Sequence, residues 1–269
     1  MEIAICSYSF HRRLAAQKQD LLRYITDCKA LGCTQLDPWN KHLAPLEATI
    51  AAGGALAAAD DDYLEQIEEA ADVAGLPWGC LAVDGAHVYE PTEEARSANR
   101  AKAYRWLDVA GKLGFEQVRI DAGGPEEMPD DAFRTIVAGY QDLIARGKPL
   151  GVQVLIENHW GPSLVPDNVV RLCESVEGLG LLYDTDNWKP ELRDEGRRKC
   201  AKFAAAVHVK TFAFDAAGNE SSGARPEEAI RLLLDAGYKG VWGVESVPAD
   251  GDEHAAARKT IDLIRRHVA

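Results

Sequence analysis

This 269-residue sequence contains no cysteines at the close spacing of a metal-binding or redox motif. Its six cysteines are scattered along the chain, and no two of them form a C-x-x-C pair. Cys6 and Cys80 lie inside apolar, strand-like runs. This distribution is typical of reduced thiols in a protein core, and it argues against a disulfide framework and against a zinc knuckle.

Positive charge and long apolar runs are also scarce. The chain has 30 Lys and Arg against 43 Asp and Glu, a formal net charge of −13. This balance argues against a broad surface for nucleic acid or anionic membranes, although a local basic pocket is compatible with it. No apolar stretch reaches membrane-spanning length, and Met1 to Cys6 enter a strand without a signal-like segment. We therefore expect a cytoplasmic protein with no nucleic-acid and no membrane partner.

Short apolar runs that read as strands alternate with longer segments of helical period. Between the runs, apolar residues recur every three or four positions, as Leu21, Ile25 and Cys28 do. Glycines at 32, 75, 114, 147 and 237 follow the helical segments, as C-cap glycines do. The eight runs are Ile3–Ser7, Thr34–Asp37, Trp78–Val83, Gln117–Asp121, Val152–Glu157, Gly180–Asp184, Ala206–Lys210 and Val241–Glu245.

Eight strand-then-helix units predict an α/β protein folded as a single (β/α)8 TIM barrel over residues 1–269. The 46% hydrophobic content is enough for its core. The competing fold is a doubly wound open sheet, which has a glycine-rich turn after its first strand. Cys6 to Phe10 contain no glycine, so the barrel is favoured.

Two loops that follow predicted strands stand out. Residues 38–60 form a long insertion, for which a lid over the site and an ordinary helical decoration are equally open. Residues 214–225 are polar and contain Ser221, Ser222, Gly223 and Arg225. These could hold a phosphate group through backbone amides and a cation, although a flexible polar loop is the simpler interpretation.

Polar side chains follow four successive strands, where a barrel places its chemistry. The fifth to eighth predicted strands end in Glu157, Asp184, His208 and Glu245. Singly, each has a structural explanation, such as a helix cap or a satisfied core histidine. Together, three converging carboxylates would repel one another unless a positive charge lay among them. One divalent cation supplies that charge, and this ligand set suits Mn²⁺ or Mg²⁺, with Co²⁺ or Zn²⁺ as alternatives.

These strand ends carry a family resemblance. The pattern IEN-H at the fifth strand, YDT-xN at the sixth, HVK at the seventh and VE at the eighth resembles the xylose isomerase-like (AP endonuclease 2) barrel superfamily. Within it, the sequence is similar to the sugar phosphate isomerase/epimerase group, with its ketose 3-epimerases and inosose dehydratases. The resemblance implies that Glu157, Asp184, His208 and Glu245 hold one metal. It also implies that the two glutamates move protons, one on each face of the substrate.

The sequence departs from this pattern at two places. Many such epimerases carry a histidine three residues after the aspartate, where this chain has Asn187. The arginine that follows the seventh-strand histidine in the family has no match, and Lys210 is a candidate for part of its role. Lys210 points the same way as His208 by the period of a strand. A salt bridge between Lys210 and Asp186 is the structural alternative.

Further side chains are candidates for the substrate wall. His159 is expected to bind a hydroxyl or relay a proton, with a structural histidine as the alternative. Trp160 and Trp188 could stack on the apolar face of a sugar or simply fill the barrel rim. Arg119 could point into the barrel mouth or pair near Asp121. Asp186 could replace Asp184 as the ligand, but Asp184 directly continues the apolar run.

These residues predict a metal-dependent isomerase or epimerase. It would act on a small carbohydrate, a sugar or sugar-like hydroxy-ketone, through an enediolate. Loss of a β-hydroxyl instead would make the protein a dehydratase or lyase, and the same parts serve both reactions. A nuclease like the AP endonucleases would need more histidines than the 7 here and a basic surface. A sugar-binding barrel without activity and a homo-oligomer are also open.

Overall fold

The computed structural model describes residues 1–268 and contains one curled sheet of parallel strands. In the described chain the sheet has seven strands in the order β1-β7-β6-β5-β4-β3-β2, and every neighbouring pair is parallel. Most strand residues are buried, as expected when helices cover a parallel sheet. The strands are β1 (Ile3–Ile5), β2 (Cys80–Val83), β3 (Gln117–Ile120), β4 (Gln153–Glu157), β5 (Gly180–Asp184), β6 (Ala204–Thr211) and β7 (Trp242–Ser246).

The helices lie between the strands along the chain, except for α10, which follows β7, and all but the short α1 contain buried residues. Helix α2 shows how the sequence sets their limits. The Asp20 carboxylate accepts a hydrogen bond from Arg23 N at 2.8 Å, and the helix ends at Gly32 with φ of 78°. The helices are α1 (His11–Ala15), α2 (Leu21–Leu31), α3 (Ala44–Ala51), α4 (Ala58–Ala74), α5 (Glu93–Leu113), α6 (Asp130–Gly147), α7 (Pro166–Ser175), α8 (Arg193–Cys200), α9 (Pro226–Asp235) and α10 (Glu253–Val268).

The C-cap prediction was wrong for Gly147. This residue is the last of α6 and has an ordinary helical φ of −71°. A short 3-10 turn at Lys148–Leu150 continues the chain, and Gly151 with φ of 74° ends it. Gly147 serves close packing instead, since a Cβ there would lie 2.8 Å from Val152 O.

The second of the eight predicted strands is not a regular strand. The segment around residues 34–37 makes single parallel bridges, Cys6 with Asp37 and Leu36 with Trp78. Pro38 follows this segment and Pro77 lies in the facing one, and neither has a backbone N–H to extend a ladder. The prediction of eight regular strands is therefore confirmed for seven, and the remaining segment bridges β1 and the start of β2.

The two loops singled out from the sequence are ordered segments. Residues 38–60 contain a 3-10 turn (Asn40–His42), α3 and the beginning of α4, with Leu46 and Ile50 buried. This is what the helical-decoration interpretation describes, and a lid movement stays a prediction. In 214–225, Phe214 and Glu220 form an antiparallel bridge. Arg225 pairs with Asp194 at 2.6 Å and with Glu228, so its charge is already engaged.

Long apolar helices are not a feature of this fold. No helix within residues 1–268 combines the length and the hydropathy needed to cross a membrane.

Candidate active site

Four side chains from neighbouring strands converge at the carboxyl edge of the sheet. Glu157 ends β4, Asp184 ends β5, His208 lies on β6 and Glu245 lies on β7. All four are buried, and one ligand atom of each lies within 4.8 Å of the others. The parallel register explains the convergence, because it sets His208 beside Asp184 and Lys210 beside Glu245.

The Asp184 carboxylate is held so that one oxygen is free to bind something else. Its Oδ1 accepts hydrogen bonds from the backbone N–H groups of Asp186 at 2.7 Å and Asn187 at 2.9 Å. Asn158 fixes the backbone by bonding both Asp184 N and Asp184 O at 2.9 Å. The buried Oδ2 has no hydrogen-bond partner among residues 1–268. Such an atom is costly unless a ligand compensates it.

His208 presents Nδ1 to two carboxylates. This atom lies 2.8 Å from Glu245 Oε2 and 3.6 Å from Glu157 Oε1. In the described part of the chain, however, His208 Nδ1 and Glu157 Oε2 are buried without a partner in hydrogen-bonding geometry. Three carboxylates and one imidazole nitrogen, with unsatisfied atoms pointing together, fit a divalent cation.

Burial and mutual repulsion shift the pKa values of this cluster. Burial raises the pKa of Asp184 to about 6, and Glu245 and Glu157 add to the effect while Lys210 opposes it. Burial alone would also raise the pKa of Glu245, but Lys210 and His208 outweigh it and hold that pKa well below its usual range. The cluster therefore depends on nearby positive charge, and Lys210 supplies part of it.

Lys210 lies among the acids as the strand period predicts. Its Nζ donates to Glu245 Oε1 at 2.6 Å and to Asn187 Oδ1 at 3.0 Å, and lies 3.6 Å from Asp184 Oδ2. Asp186 pairs with Arg193 at 2.6 Å instead, so the alternative salt bridge from Lys210 to Asp186 is wrong. Asn187 also donates from Nδ2 to Glu157 Oε1 at 3.4 Å.

Arg119 on β3 connects the cluster to a second group of acids. Its Nε lies 2.9 Å from Glu157 Oε2. Its Nη1 donates to Asp84 Oδ1 at 2.8 Å and to Asp121 Oδ2 at 2.9 Å. Both alternatives drawn from the sequence therefore hold, since Arg119 reaches the barrel mouth and pairs near Asp121.

His159 follows Glu157 and faces the same carboxylates. Its Nδ1 lies 3.4 Å from Asp121 Oδ2 and 3.8 Å from Glu157 Oε2. Burial would lower its pKa, but Glu157 and Asp121 outweigh burial and raise the pKa to about 9. The two carboxylates therefore favour the protonated form of the imidazole.

A cavity of about 160 Å³, called the inner cavity below, opens onto these side chains. It is lined by Cys6, Tyr8, Trp39, Asp84, Arg119, Glu157, His159, Lys210 and Glu245. Four of these were not predicted: Cys6, Tyr8, Trp39 and Asp84. Asp84 directly follows the apolar run of β2, which is the same signal that singled out Glu157.

The two tryptophans expected at the substrate wall lie in different places. Trp188 is buried beside the ring of Tyr183, and a Cβ on Gly196 would lie 2.5 Å from its indole. It does not line the inner cavity, so the structure favours the core-filling alternative for this residue. Trp160 is 45% exposed and donates from Nε1 to Asp121 Oδ2 at 3.0 Å. It borders the site from a neighbouring cavity.

Comparison with known proteins identifies the family. A model of the xylose isomerase-like TIM barrel family matches residues 25–267, and the chain belongs to that family. No functionally curated protein matches the sequence.

Solved structures share the fold at low sequence identity. An IOLI protein with a bound zinc atom has a TM-score of 0.78 and 14% identity over 99% of both chains. D-Psicose 3-epimerase from Clostridium cellulolyticum H10 has a TM-score of 0.74 and 12% identity over 100% of this chain and 99% of its own. The probable 3-DHS dehydratase AsbF from Bacillus anthracis has a TM-score of 0.74 and 12% identity over 98% and 99%. Epimerases and dehydratases are thus both among the structural neighbours.

Proposed function

We propose that the protein is a divalent-metal-dependent isomerase or epimerase of a sugar or sugar-like hydroxy-ketone. The observation that carries the proposal is the buried cluster of Glu157, Asp184, His208 and Glu245, whose ligand atoms lie within 4.8 Å of one another. A bound cation would offset the charge of three buried carboxylates, and two of them, Glu157 and Glu245, line the inner cavity.

The four residues of the cluster would hold one metal ion. Their oxygen-rich ligand set suits Mn²⁺ or Mg²⁺ best, with Co²⁺ or Zn²⁺ as alternatives. When bound, the ion would polarise the substrate carbonyl and stabilise the negative charge of an enediolate.

Two glutamates would move the protons. Glu157 lies beside Arg119 and Glu245 lies beside Lys210, so each carboxylate faces a fixed cation. One glutamate would remove the proton from the carbon beside the carbonyl. The other would return a proton to the opposite face of that carbon, or to the neighbouring carbon. The first outcome is an epimerisation and the second an isomerisation.

Two cationic donors would bind the substrate oxygens. Lys210 Nζ and the protonated ring of His159 both line the inner cavity. Each can donate a hydrogen bond to a hydroxyl or to a developing oxyanion. Asn187 positions Lys210 through the 3.0 Å bond to its side-chain oxygen.

A dehydratase is the second candidate, and the protonated His159 favours it. In that reaction a glutamate takes the proton beside the carbonyl, and the C–O bond of the β-hydroxyl breaks. His159 would give its proton to the departing oxygen, so that water leaves and an enol remains. The likeness in fold to a probable dehydratase is compatible with this candidate.

One experiment separates the two reactions. The Mn²⁺-loaded protein is incubated in D₂O with ketoses, ketose phosphates and inososes, and product masses are followed with and without chelator. Chelator-sensitive deuterium uptake without loss of mass supports the isomerase or epimerase. Chelator-sensitive loss of water supports the dehydratase. No change with any compound, together with a Glu157→Gln variant that behaves like wild type, would contradict both.

A further inference from the structure

A second cavity adjoins the inner cavity at the same edge of the sheet. It has a volume of about 540 Å³ and is called the outer cavity here. Its walls are the segments that follow β2, β3 and β4, namely residues 87–91, 123–125 and 160–161. The inner cavity, at about 160 Å³, is smaller than the roughly 300–1,000 Å³ of typical ligand pockets. The inner cavity therefore has room for the reacting end of a larger molecule.

The two cavities meet at a pair of neighbouring rings. His159 lines the inner cavity and Trp160 lines the outer one, and their ring centroids are 5.7 Å apart. Both rings lie against the same oxygen, Asp121 Oδ2, at 3.4 Å from His159 Nδ1 and 3.0 Å from Trp160 Nε1. A ligand that contacts His159 in the inner cavity therefore lies next to the indole ring of Trp160 in the outer cavity.

Trp160 offers an exposed aromatic face in a fixed orientation. Its side chain is 45% exposed, although large apolar side chains in this structure are mostly buried. The indole is held at one edge by Asp121 and is met by the ring of His87 at 5.0 Å and 78°. An immobilised, solvent-facing indole beside a catalytic cavity is a stacking surface for an apolar ring face.

Glycines let the segments around the outer cavity pack closely against one another. A Cβ on Gly123 would lie 2.6 Å from Tyr89 O, and a Cβ on Gly161 would lie 2.7 Å from Gly124 O. Backbone hydrogen bonds tie the walls together, from Val88 N to Asp121 O at 3.0 Å and from Tyr89 N to Ala122 O at 2.7 Å. The outer cavity is therefore preformed, which lowers the cost of ordering it on binding.

The lining of the outer cavity selects a neutral, amphipathic ligand. It includes the carboxylate of Glu90 and, among the described residues, no lysine or arginine. A phosphate or carboxylate ligand would meet repulsion there. The imidazole of His87 and the Glu90 carboxylate can instead bond hydroxyl groups, while Trp160 takes an apolar face. A pyranose ring has both features.

We propose that the substrate is a glycoside that spans both cavities. Its keto-bearing ring lies in the inner cavity, and a second sugar ring stacks on Trp160 in the outer cavity. This inference rests on the proposed function, because it takes the inner cavity as the place of reaction.

The test compares two keto-sugars that differ only by the second ring. Methyl 3-keto-β-D-glucoside and 3-keto-cellobiose, oxidised on its non-reducing ring, are incubated with the Mn²⁺-loaded protein in D₂O. The disaccharide should exchange with a kcat/KM about tenfold higher, which corresponds to about 1.4 kcal/mol. Trp160→Ala should reduce this preference, measured as the ratio of the two kcat/KM values, to within about twofold.

Two further variants identify the cause. Trp160→Phe keeps an aromatic face but loses the bond to Asp121, and it should retain most of the preference. Leu234→Ala changes another exposed apolar residue, 39% exposed and on α9, and should leave both rates unchanged. Equal losses for both substrates in Trp160→Ala and Trp160→Phe would overturn the proposal, because Trp160 would then act through Asp121.

Binding separates this inference from the proposed function. If neither compound exchanges, the proposed reaction is judged on the wider set of ketoses and inososes, and the outer cavity is judged separately by calorimetry with unreactive cellobiose. Binding that is weakened about tenfold in Trp160→Ala supports a sugar subsite. The same affinity in wild type and Trp160→Ala, or no binding to either, overturns it.

Discussion

Arg119 Nε lies 2.9 Å from Glu157 Oε2, and both side chains are buried. The two residues come from the adjacent strands β3 and β4, so the sheet itself sets their separation. The guanidinium holds a positive charge beside the Glu157 carboxylate, the group proposed to accept a proton. The same guanidinium also pairs with Asp84 and Asp121, so three carboxylates share this one cation.

Replacing Arg119 by Met should destabilise the protein by about 3–5 kcal/mol at pH 7, because it leaves buried carboxylates without a partner. Burial would raise the pKa of Asp121, but Arg119, His159 and Trp160 together outweigh burial and lower that pKa. The wild-type protein therefore gains stability from Asp121 above the unfolded pKa and loses it as pH falls through the folded pKa. In the variant, burial keeps the carboxyl protonated to higher pH. The difference in urea-unfolding free energy between wild type and variant should therefore be smaller at pH 4.5 than at pH 7. An equal difference at both pH values would contradict this explanation.

Divalent metal should stabilise the wild-type protein against heat. Metal at 100 times its dissociation constant adds about 2.7 kcal/mol to the unfolding free energy. Asp184→Asn should strongly reduce this gain, because it removes a negative charge from the cluster of ligand atoms, into which Asp184 Oδ2 points. Asp186→Asn is the matched control, since Asp186 pairs with Arg193 outside the cluster. Thermal unfolding with Mn²⁺ and with chelator measures both. If Asp186→Asn loses the stabilisation by Mn²⁺ while Asp184→Asn keeps it, Asp186 is the metal ligand.

Glu157→Gln and Glu245→Gln should each lower the rate of substrate deuterium exchange by about 10²–10⁴, the usual contribution of a general base. Glutamine keeps an oxygen that can face the metal but cannot accept the proton. The thermal gain from Mn²⁺ should therefore be reduced in each variant and not abolished. Glu174→Gln, at an exposed position on α7, should leave the exchange rate unchanged. Full exchange in either site variant would remove that glutamate from the proposed mechanism.

The convergence of the acidic residues could be predicted from the sequence because it follows from simple geometry. Parallel strands end at one edge, and Glu157, Asp184 and Glu245 each continue an apolar run. The direction of the Lys210 side chain could be predicted from the strand period, which places it on the same face as His208. Asp84 gives the same signal after β2 and was missed. A single acidic residue at a strand end can equally cap the next helix. For Asp84, only the contact with Arg119 in the folded structure decides between the two roles.

Other features depend on partners that are distant in the sequence. Trp160 and Trp188 follow neighbouring strands and look alike in the sequence. Their different positions depend on distant residues. Asp121 accepts a hydrogen bond from Trp160 and holds it at the rim, whereas Gly196 of α8 leaves room for Trp188 in the core. The irregular segment around residues 34–37 likewise depends on Pro77, on the segment that faces it. None of these relationships lies within one window of the chain.

Trp188→Phe tests whether this residue fills the core or touches the substrate. Within residues 1–268 the buried indole Nε1 has no hydrogen-bond partner, so the substitution removes volume without breaking a bond. We expect a loss of about 1–2 kcal/mol in unfolding free energy from the resulting cavity. KM should be unchanged. A raised KM with unchanged stability would restore Trp188 to the substrate wall, as first expected from the sequence.

His42 should make the protein less stable in mild acid. The side chain is 2% exposed, and burial lowers its pKa to about 4, with His11 acting in the same direction and Asp20 opposing it. Ser7 Oγ accepts from Trp39 N and lies 2.9 Å from His42 Nδ1, so the hydroxyl can donate only to a neutral ring.

The sign of this effect follows from proton uptake. Between pH 6.5 and about 4 the unfolded chain carries a proton on His42 that the folded protein does not, so stability falls as pH falls. At about 1.4 kcal/mol per pH unit the loss reaches at most about 3 kcal/mol. His42→Phe keeps a ring but cannot titrate. It should be less stable than wild type at pH 7, because Ser7 loses its acceptor, and its urea-unfolding free energy should change less between pH 7 and pH 4.5. If wild type and variant lose the same free energy over this range, His42 is not the group responsible.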